Sequence, residues 1–398
     1  MTKTISLLIG MAILVNGCAF PPPALNVEIE DTQPTAGFTP TDSEKIAVPA
    51  AINQVTAWKL ETVVEGLTVP WSIVFTAPDR MLVSERGGAI REVLNGQLEP
   101  DPVFVFNDVS ASGESGLMGL AIDPQYPSNG FIYACYTYSK NGQATNRIVR
   151  LTDNADSMSM DLAIMDGLAS ARNHAGCRIA FGPDEKLYIT VGDAMDPSSA
   201  QDMSSLAGKI LRINPDGSIP GDNPYASSPV WSYGHRNPQG LAWNFDNGLM
   251  YSSEHGPSGF DGPPGGDEIN WIMPGENYGW PLVSHDESLE GMKDPVIQFT
   301  PAEAPASLMV YGSDVLPMFN GNFFFGALRG EGLMRFGIST SDPEKVTLVE
   351  KVIKDVGRVR DVVEGPDGYI YFSTSNRDGR GAPRDGDDHI YRIVPDNN

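Results

Sequence analysis

A histidine placed at the start of an apolar strand is the first residue in this chain whose chemistry stands out. His174 sits in the run Asn173-His174-Ala175-Gly176-Cys177-Arg178, and the strand-like stretch Ile179 to Thr190 follows at once. The chain has only five histidines, and a neutral imidazole held there is a ready proton acceptor near neutral pH. The bland alternative is a satisfied structural histidine. Other polar groups fall at comparable places. Glu114 precedes Leu117, Arg178 follows His174, His235-Arg236-Asn237 precede an apolar run, Arg329 follows a phenylalanine-rich hairpin, and Arg358 and Arg360 open another strand. Guanidinium groups converging on one place describe an anion pocket. For any single arginine the competing reading is an isolated salt bridge.

Between these positions lies Ser253-Glu254-His255-Gly256-Pro257, then a Gly/Pro loop from Gly259 to Gly266, Asp267-Glu268-Ile269-Asn270, and Asn277-Tyr278-Gly279-Trp280-Pro281. Exposed carbonyls beside Gly and Pro, with carboxylates close by, suit a hard cation such as calcium (Ca2+). A merely solvated acidic loop is the alternative.

These residues need elements to position them, and from Val69 onward the chain repeats one pattern: an apolar strand, a Pro/Asp/Gly turn, a second apolar strand, a polar break. Six copies occur. Their first strands are Trp71 to Phe75, Leu117 to Ile122, Arg178 to Phe181, Gly240 to Trp243, Ser307 to Tyr311 and Val359 to Val363. The spacing leaves room for two more strands in each unit, so the expected fold is all-β, a six-bladed β-propeller of four-stranded antiparallel blades. A pair of β-sandwich domains is the competing architecture, but no Pro/Ser-rich linker divides Val69 from Pro395. With 42 glycines and 32 prolines, the composition suits short strands and turns better than long helices. Closure is expected to pair an early strand with the last blade around His389 to Val394. In such a fold the first strands line a central channel, and the polar groups singled out above would meet at one of its ends.

The first 17 residues read as an export signal: Lys3, then an apolar run from Ile5 to Val15 that is too short to span a membrane. The ending Val15-Asn16-Gly17-Cys18 resembles the lipobox of bacterial lipoproteins. That resemblance implies lipidation of Cys18 and contact with the membrane through that lipid only; ordinary secretion is the alternative. Residues 18–57, with Pro21-Pro22-Pro23 and little periodicity, read as a flexible, disordered tether, and 58–398 as the propeller. The expected location is therefore the cell envelope, on the periplasmic or cell-surface side. Cys135 and Cys177 both lie in apolar strand-like runs, where buried free thiols are the ordinary outcome and a disulfide the other one. A formal net charge of −24 argues against a nucleic-acid partner.

Three segments together resemble the soluble pyrroloquinoline-quinone (PQQ)-dependent glucose and aldose sugar dehydrogenases, a family of six-bladed quinoprotein propellers. They are Tyr233 to Ala242, Ser253 to Pro257 with Gly266 to Asn270, and Leu206 to Gly217. The resemblance runs from about Val64 to Pro395. It implies PQQ and Ca2+ as cofactors, an aldose sugar as substrate and an external electron acceptor as partner. It further implies His174 as general base and Arg236 as the group stabilising charge on the reduced cofactor, with Asn237 beside it. Arg329 takes the position of a family lysine near the cofactor, and Arg358 and Arg360 resemble residues that bind its carboxylates. Glu114 stands where the glucose-oxidising branch has glutamine, and Asn173 where it has aspartate. The carbonyls of Gly256 and Pro257 resemble the ligands of the catalytic calcium, and Glu268 and Tyr278 those of a second, structural one. The function expected from all this is oxidation of the anomeric carbon of aldoses to lactones. A non-catalytic binding propeller and a metal-dependent sugar lactonase are the other two readings.

Overall fold

The computed structural model describes residues 57–155 and 157–396. The export signal, Cys18 and nearly all of the tether lie outside the described residues.

Six antiparallel sheets follow one another along the chain. Blade two is the fullest: Leu117–Ile122, Phe131–Lys140, Gln143–Asp153 and Met158–Ala169. Blade three runs Ile179–Phe181, Leu187–Val191, Lys209–Ile213 and Val230–Tyr233; blade four runs Pro238–Trp243, Met250–Glu254, Asp267–Ile272 and Ile297–Phe299. Blade five begins at Met309–Val310 and ends in Asp342–Ile353. In blade one, after Pro70–Ala77, Arg80–Glu85 and Ala89–Leu94, the outer position is shared by Gln97–Leu98 and Phe104–Val105. Blade six closes the ring: Val359–Glu364, Ile370–Thr374 and Ile390–Pro395 are completed by Trp58–Val64, with Glu61 opposite Arg392. The expected six-bladed propeller and its mode of closure are both found. Among the described residues no helix is long and apolar enough to cross a membrane.

Successive blades are stitched to one another through their inner strands and the segments leading into them. Ile73 N donates to Asp361 Oδ2 at 2.7 Å, Ser84 Oγ to Met118 O at 2.6 Å and Val362 N to Ser307 Oγ at 2.8 Å. Backbones approach closely at these seams, and glycine permits it. A Cβ on Gly119 would lie 2.6 Å from the Cys177 carbonyl, and one on Gly240 would lie 2.5 Å from Leu308 N. The apolar core therefore sits between blades. One cluster joins Trp71, Met118, Tyr133, Ile179 and Leu211 across blades one to three; another packs Tyr251 of blade four on Phe323, Phe325 and Phe336 of blade five. Burial of such side chains contributes roughly 1.5–3 kcal/mol each.

The two cysteines are not free thiols. Cys135, in the second strand of blade two, is joined to Cys177 at the start of blade three, with Cα atoms 5.7 Å apart. An apolar strand environment does not decide between thiol and disulfide; the seam between blades brings residues 42 apart in sequence face to face.

Candidate active site

The segments that lead into the first strands meet at one end of the channel, around a cavity of about 380 Å³. His174, Glu114, Arg236, Arg329 and Arg358 are on its wall.

His174 is placed by an unusual backbone. Its φ is +58°, and Cys177, three residues on, is at +72°. Such values are uncommon for side chains larger than glycine and persist where the surroundings over-determine them. Here they do so. His174 N donates to Glu114 Oε2 at 2.9 Å, Asn146 Nδ2 to Ala175 O at 2.8 Å, Gly176 N to Asn237 Oδ1 at 3.2 Å and Cys177 N to Thr190 O at 2.7 Å. The disulfide then fixes the segment to blade two.

The imidazole is 2% exposed, and its Nδ1 lies 2.6 Å from Asp193 Oδ1. Asp193 is fully buried, and it also accepts from Met195 N at 2.9 Å and from the Trp280 indole at 2.8 Å. A carboxylate held this way keeps the imidazole proton on Nδ1 and leaves Nε2, on the cavity side, as the proton acceptor. The Phe260 ring stacks on the imidazole with centroids 5.8 Å apart.

Arg236 is held by the turn it belongs to and by the loop beyond it. Glu254, on the second strand of blade four, accepts from the Arg236 and Asn237 backbone N–H groups and from His235 Nδ1 at 2.8 Å. The guanidinium donates to the His255 carbonyl at 3.1 Å, Ser258 Oγ at 3.2 Å and Asp261 Oδ2 at 2.7 Å.

Glu114 joins these parts. Its Oε2 accepts from His174 N and from Asn237 Nδ2 at 3.1 Å, and its Oε1 from Arg380 at 3.1 Å. Burial opposes its charged form, but His255, Arg380, His174 and the His174 N–H outweigh that and hold the carboxyl at about 2. Burial, helped by Arg360 and Arg236, pushes His255 down to about 3 against the pull of Glu114. At neutral pH the carboxylate is therefore ionised and the second imidazole neutral.

The remaining arginines divide. Arg358 pairs with Asp378 at 2.8 Å and Arg380 with Glu114. Arg178 belongs to the channel filling instead of an anion pocket: it faces Asp361 at 3.1 Å and lies over Trp71. Asn237 and Arg360 stand behind the cavity wall. The Asn237 amide is used by Gly176, Gln239 and Glu114. Arg360 donates only to Gln239 Oε1, at 3.2 Å; its Nε is buried without a partner, and burial brings the group down to about 10.

This donor set fits an anionic cofactor. Among the described residues the Arg329 side chain has no hydrogen bond or ion pair, Arg360 has no carboxylate within reach, and His255 Nε2 is buried unpartnered. Arg329 is exposed and its charge is open to a ligand, whereas the unmatched buried nitrogens of Arg360 and His255 are costly unless a ligand supplies partners.

The expected metal residues are dispersed. Gly256 and Pro257 lie between His255 and Ser258, both on the cavity wall. The Gly256 carbonyl accepts no hydrogen bond among the described residues, and that of Pro257 takes one from Gly265 N. The Tyr278 phenol is turned away, donating to Trp271 O at 2.7 Å and accepting from Met273 N at 2.8 Å. Glu268 faces Glu254 across the strand pair; burial first, and then the Glu254 charge, holds its carboxyl well above the usual range.

Asp193, Phe260, Asp261, Asp378 and Arg380 were not singled out in the sequence. Only Asp193, two residues beyond a strand end, left a signal there.

Fold and site together define a six-bladed propeller with a buried His–Asp pair in an arginine-lined anion cavity. The Glucose / Sorbosone dehydrogenase family model matches residues 67–391. An aldose sugar dehydrogenase of Escherichia coli (strain K12) is 32% identical over 359 residues, 84% of this chain and 92% of the relative. Quinoprotein glucose dehydrogenase B of Acinetobacter calcoaceticus is 33% identical over 258 residues, 56% of this chain and 52% of the relative. The PQQ-bound aldose sugar dehydrogenase of Streptomyces coelicolor superposes with a TM-score of 0.75 at 34% identity, over 85% of this chain and 98% of that one. The chain belongs to the glucose/sorbosone dehydrogenase family.

The Glu254–Glu268 contact predicts a pH effect. A carboxyl whose folded pKa is raised favours folding below its unfolded value and loses that contribution as pH rises through the folded one. In chelator-treated protein, Glu268→Gln should therefore lose less stability than the parent between about pH 5 and pH 8. Parallel urea midpoints for the two proteins over that range would refute the assignment.

Proposed function

We propose that the protein is a PQQ-dependent aldose dehydrogenase that oxidises the anomeric carbon to a lactone and passes electrons to an external acceptor. The observation that carries this reading is the His174–Asp193 pair beside a cavity lined by Arg236, Arg329 and Arg358, with Arg329 unpaired among the described residues and Arg360 behind the wall without a carboxylate partner.

The quinone, when bound, supplies the hydride acceptor. His174 Nε2 takes the proton of the anomeric hydroxyl, and as the C1–H bond gives up its hydride the C1–O bond becomes the lactone carbonyl. Asp193 holds the tautomer that makes Nε2 the base and stabilises the imidazolium once it forms. Arg236 offers fixed positive charge where negative charge develops, and Arg329, Arg358 and Arg360 supply charge for the cofactor's carboxylates. Neighbouring Asn173, Glu114 and Arg380 give the cavity rim its hydrogen-bonding groups for a sugar. The carbonyls of Gly256 and Pro257 are the oxygens of this chain suited to a catalytic calcium. For the second calcium, the chain offers the carboxyl of Glu268 beside Glu254.

Export as a lipoprotein anchored through Cys18 completes the reading. A disulfide between Cys135 and Cys177 is the kind of bond an oxidising compartment maintains.

Two experiments test these statements. Apoprotein titrated with PQQ and calcium should reduce a redox dye with members of an aldose panel, and His174→Ala should bind the cofactor nearly as well while losing at least about 10²-fold in turnover. Cofactor binding with no aldose oxidised would remove the dehydrogenase reading, and unchanged turnover would remove His174 from its role. In cells, labelled fatty acid should enter the full-length chain but not Cys18→Ser; equal labelling would exclude the anchor.

A further inference from the structure

The carboxylates around the cavity do not all have the same work. Glu114 holds the backbone of His174 and the amide of Asn237. Asp378 accepts from Arg380 N at 2.8 Å and Gly381 N at 3.2 Å as well as from Arg358, so it shapes its own loop. Asp261 has no such structural load. Its Oδ1 accepts only from Ser258 N, three residues away in the same turn, and its Oδ2 lies 2.7 Å from both Nε and Nη2 of Arg236.

The loop that carries it is built on backbone conformations open mainly to glycine: φ is +94° at Gly259, +123° at Gly265 and +66° at Gly266. That path brings Asp261 over the Arg236 guanidinium, which is 2% exposed, and Phe260 over His174. Burial opposes the charged form of Asp261, but the Arg236 hydrogen bond and the Ser258 N–H hold its pKa below the usual range. A full negative charge thus sits on the arginine that the reaction would use to receive negative charge.

We propose that Asp261 is an internal counter-charge of the cofactor site: by occupying the Arg236 fork it weakens binding of the anionic quinone and lowers its reduction potential. The inference rests on the quinone reading above. Two unit charges a few ångströms apart in a partly buried site interact by several kcal/mol at most. Removing one of them favours an arriving anion, and favours its more negative reduced form most. A residue that only steadied Arg236 would have the opposite signature, because its loss would leave the guanidinium misplaced and cofactor binding weaker.

The test uses full-length protein with PQQ and calcium, comparing the parent with Asp261→Asn, Asp261→Ser and Asp261→Glu. Cofactor affinity is read from quenching of tryptophan fluorescence and the midpoint potential by spectroelectrochemistry, neither of which needs turnover. Asp261→Asn and Asp261→Ser should bind PQQ at least about tenfold more tightly. Their midpoint potential should rise by about 30 mV per further tenfold preference for the reduced form. Asp261→Glu should return both values toward those of the parent. Unchanged or weaker binding in both neutral variants, or an unchanged or lower potential, overturns the proposal while leaving the quinone reading in place. Failure of the parent itself to bind PQQ removes both.

Discussion

One half-buried carboxylate ties together the starts of three blades. Glu114 lies ahead of blade two and reaches the His174 backbone ahead of blade three, the Asn237 amide ahead of blade four and Arg380 beyond the second strand of blade six. A carboxylate largely withdrawn from water needs its oxygens matched, and removing one of its partners leaves an acceptor short of a hydrogen bond. The His174 backbone at positive φ, the tautomer fixed by Asp193 and the placement of Asn237 all follow from that knot being intact.

The propeller explains why these groups meet. Six first strands run side by side around a channel, so the six segments leading into them are neighbours in space although tens of residues apart in sequence. The rest of the molecule supplies rigidity. Aromatic and aliphatic clusters fill the seams between blades, the Cys135–Cys177 disulfide crosses one of them, and Trp58–Val64 closes the ring on Ile390–Pro395. Because the cavity-lining groups stand at the ends of these strands, they inherit the rigidity of the sheets while remaining open to the cavity.

Much of the architecture was legible because inner strands are buried on both faces and read as short apolar runs bounded by Pro, Asp and Gly. The outer strands were not. Met158–Ala169 is mostly exposed and carries a weak pattern, and the outer position of blade one is broken into two short pieces. In the site, His174 and Arg236 stood out because they flank recognisable strands. Their partners did not, since pairing is a property of the folded ring: Arg380 meets Glu114 across 266 residues, and Trp280 meets Asp193 across 87. For the same reason Arg178 read as part of an anion ring, although a buried aspartate across the channel claims it, and the choice between thiols and a disulfide for Cys135 and Cys177 stayed open.

The central claim is that this cavity removes a hydride from the anomeric carbon while His174 takes the hydroxyl proton. Its most direct test is a single-turnover experiment with the PQQ- and calcium-loaded protein, comparing an oxidisable aldose with the same sugar deuterated at C1. The account predicts that cofactor reduction slows with the deuterated sugar, with a primary isotope effect on the observed rate at saturating substrate. Reduction at equal rates, with the deuterium still on the sugar product, would contradict it.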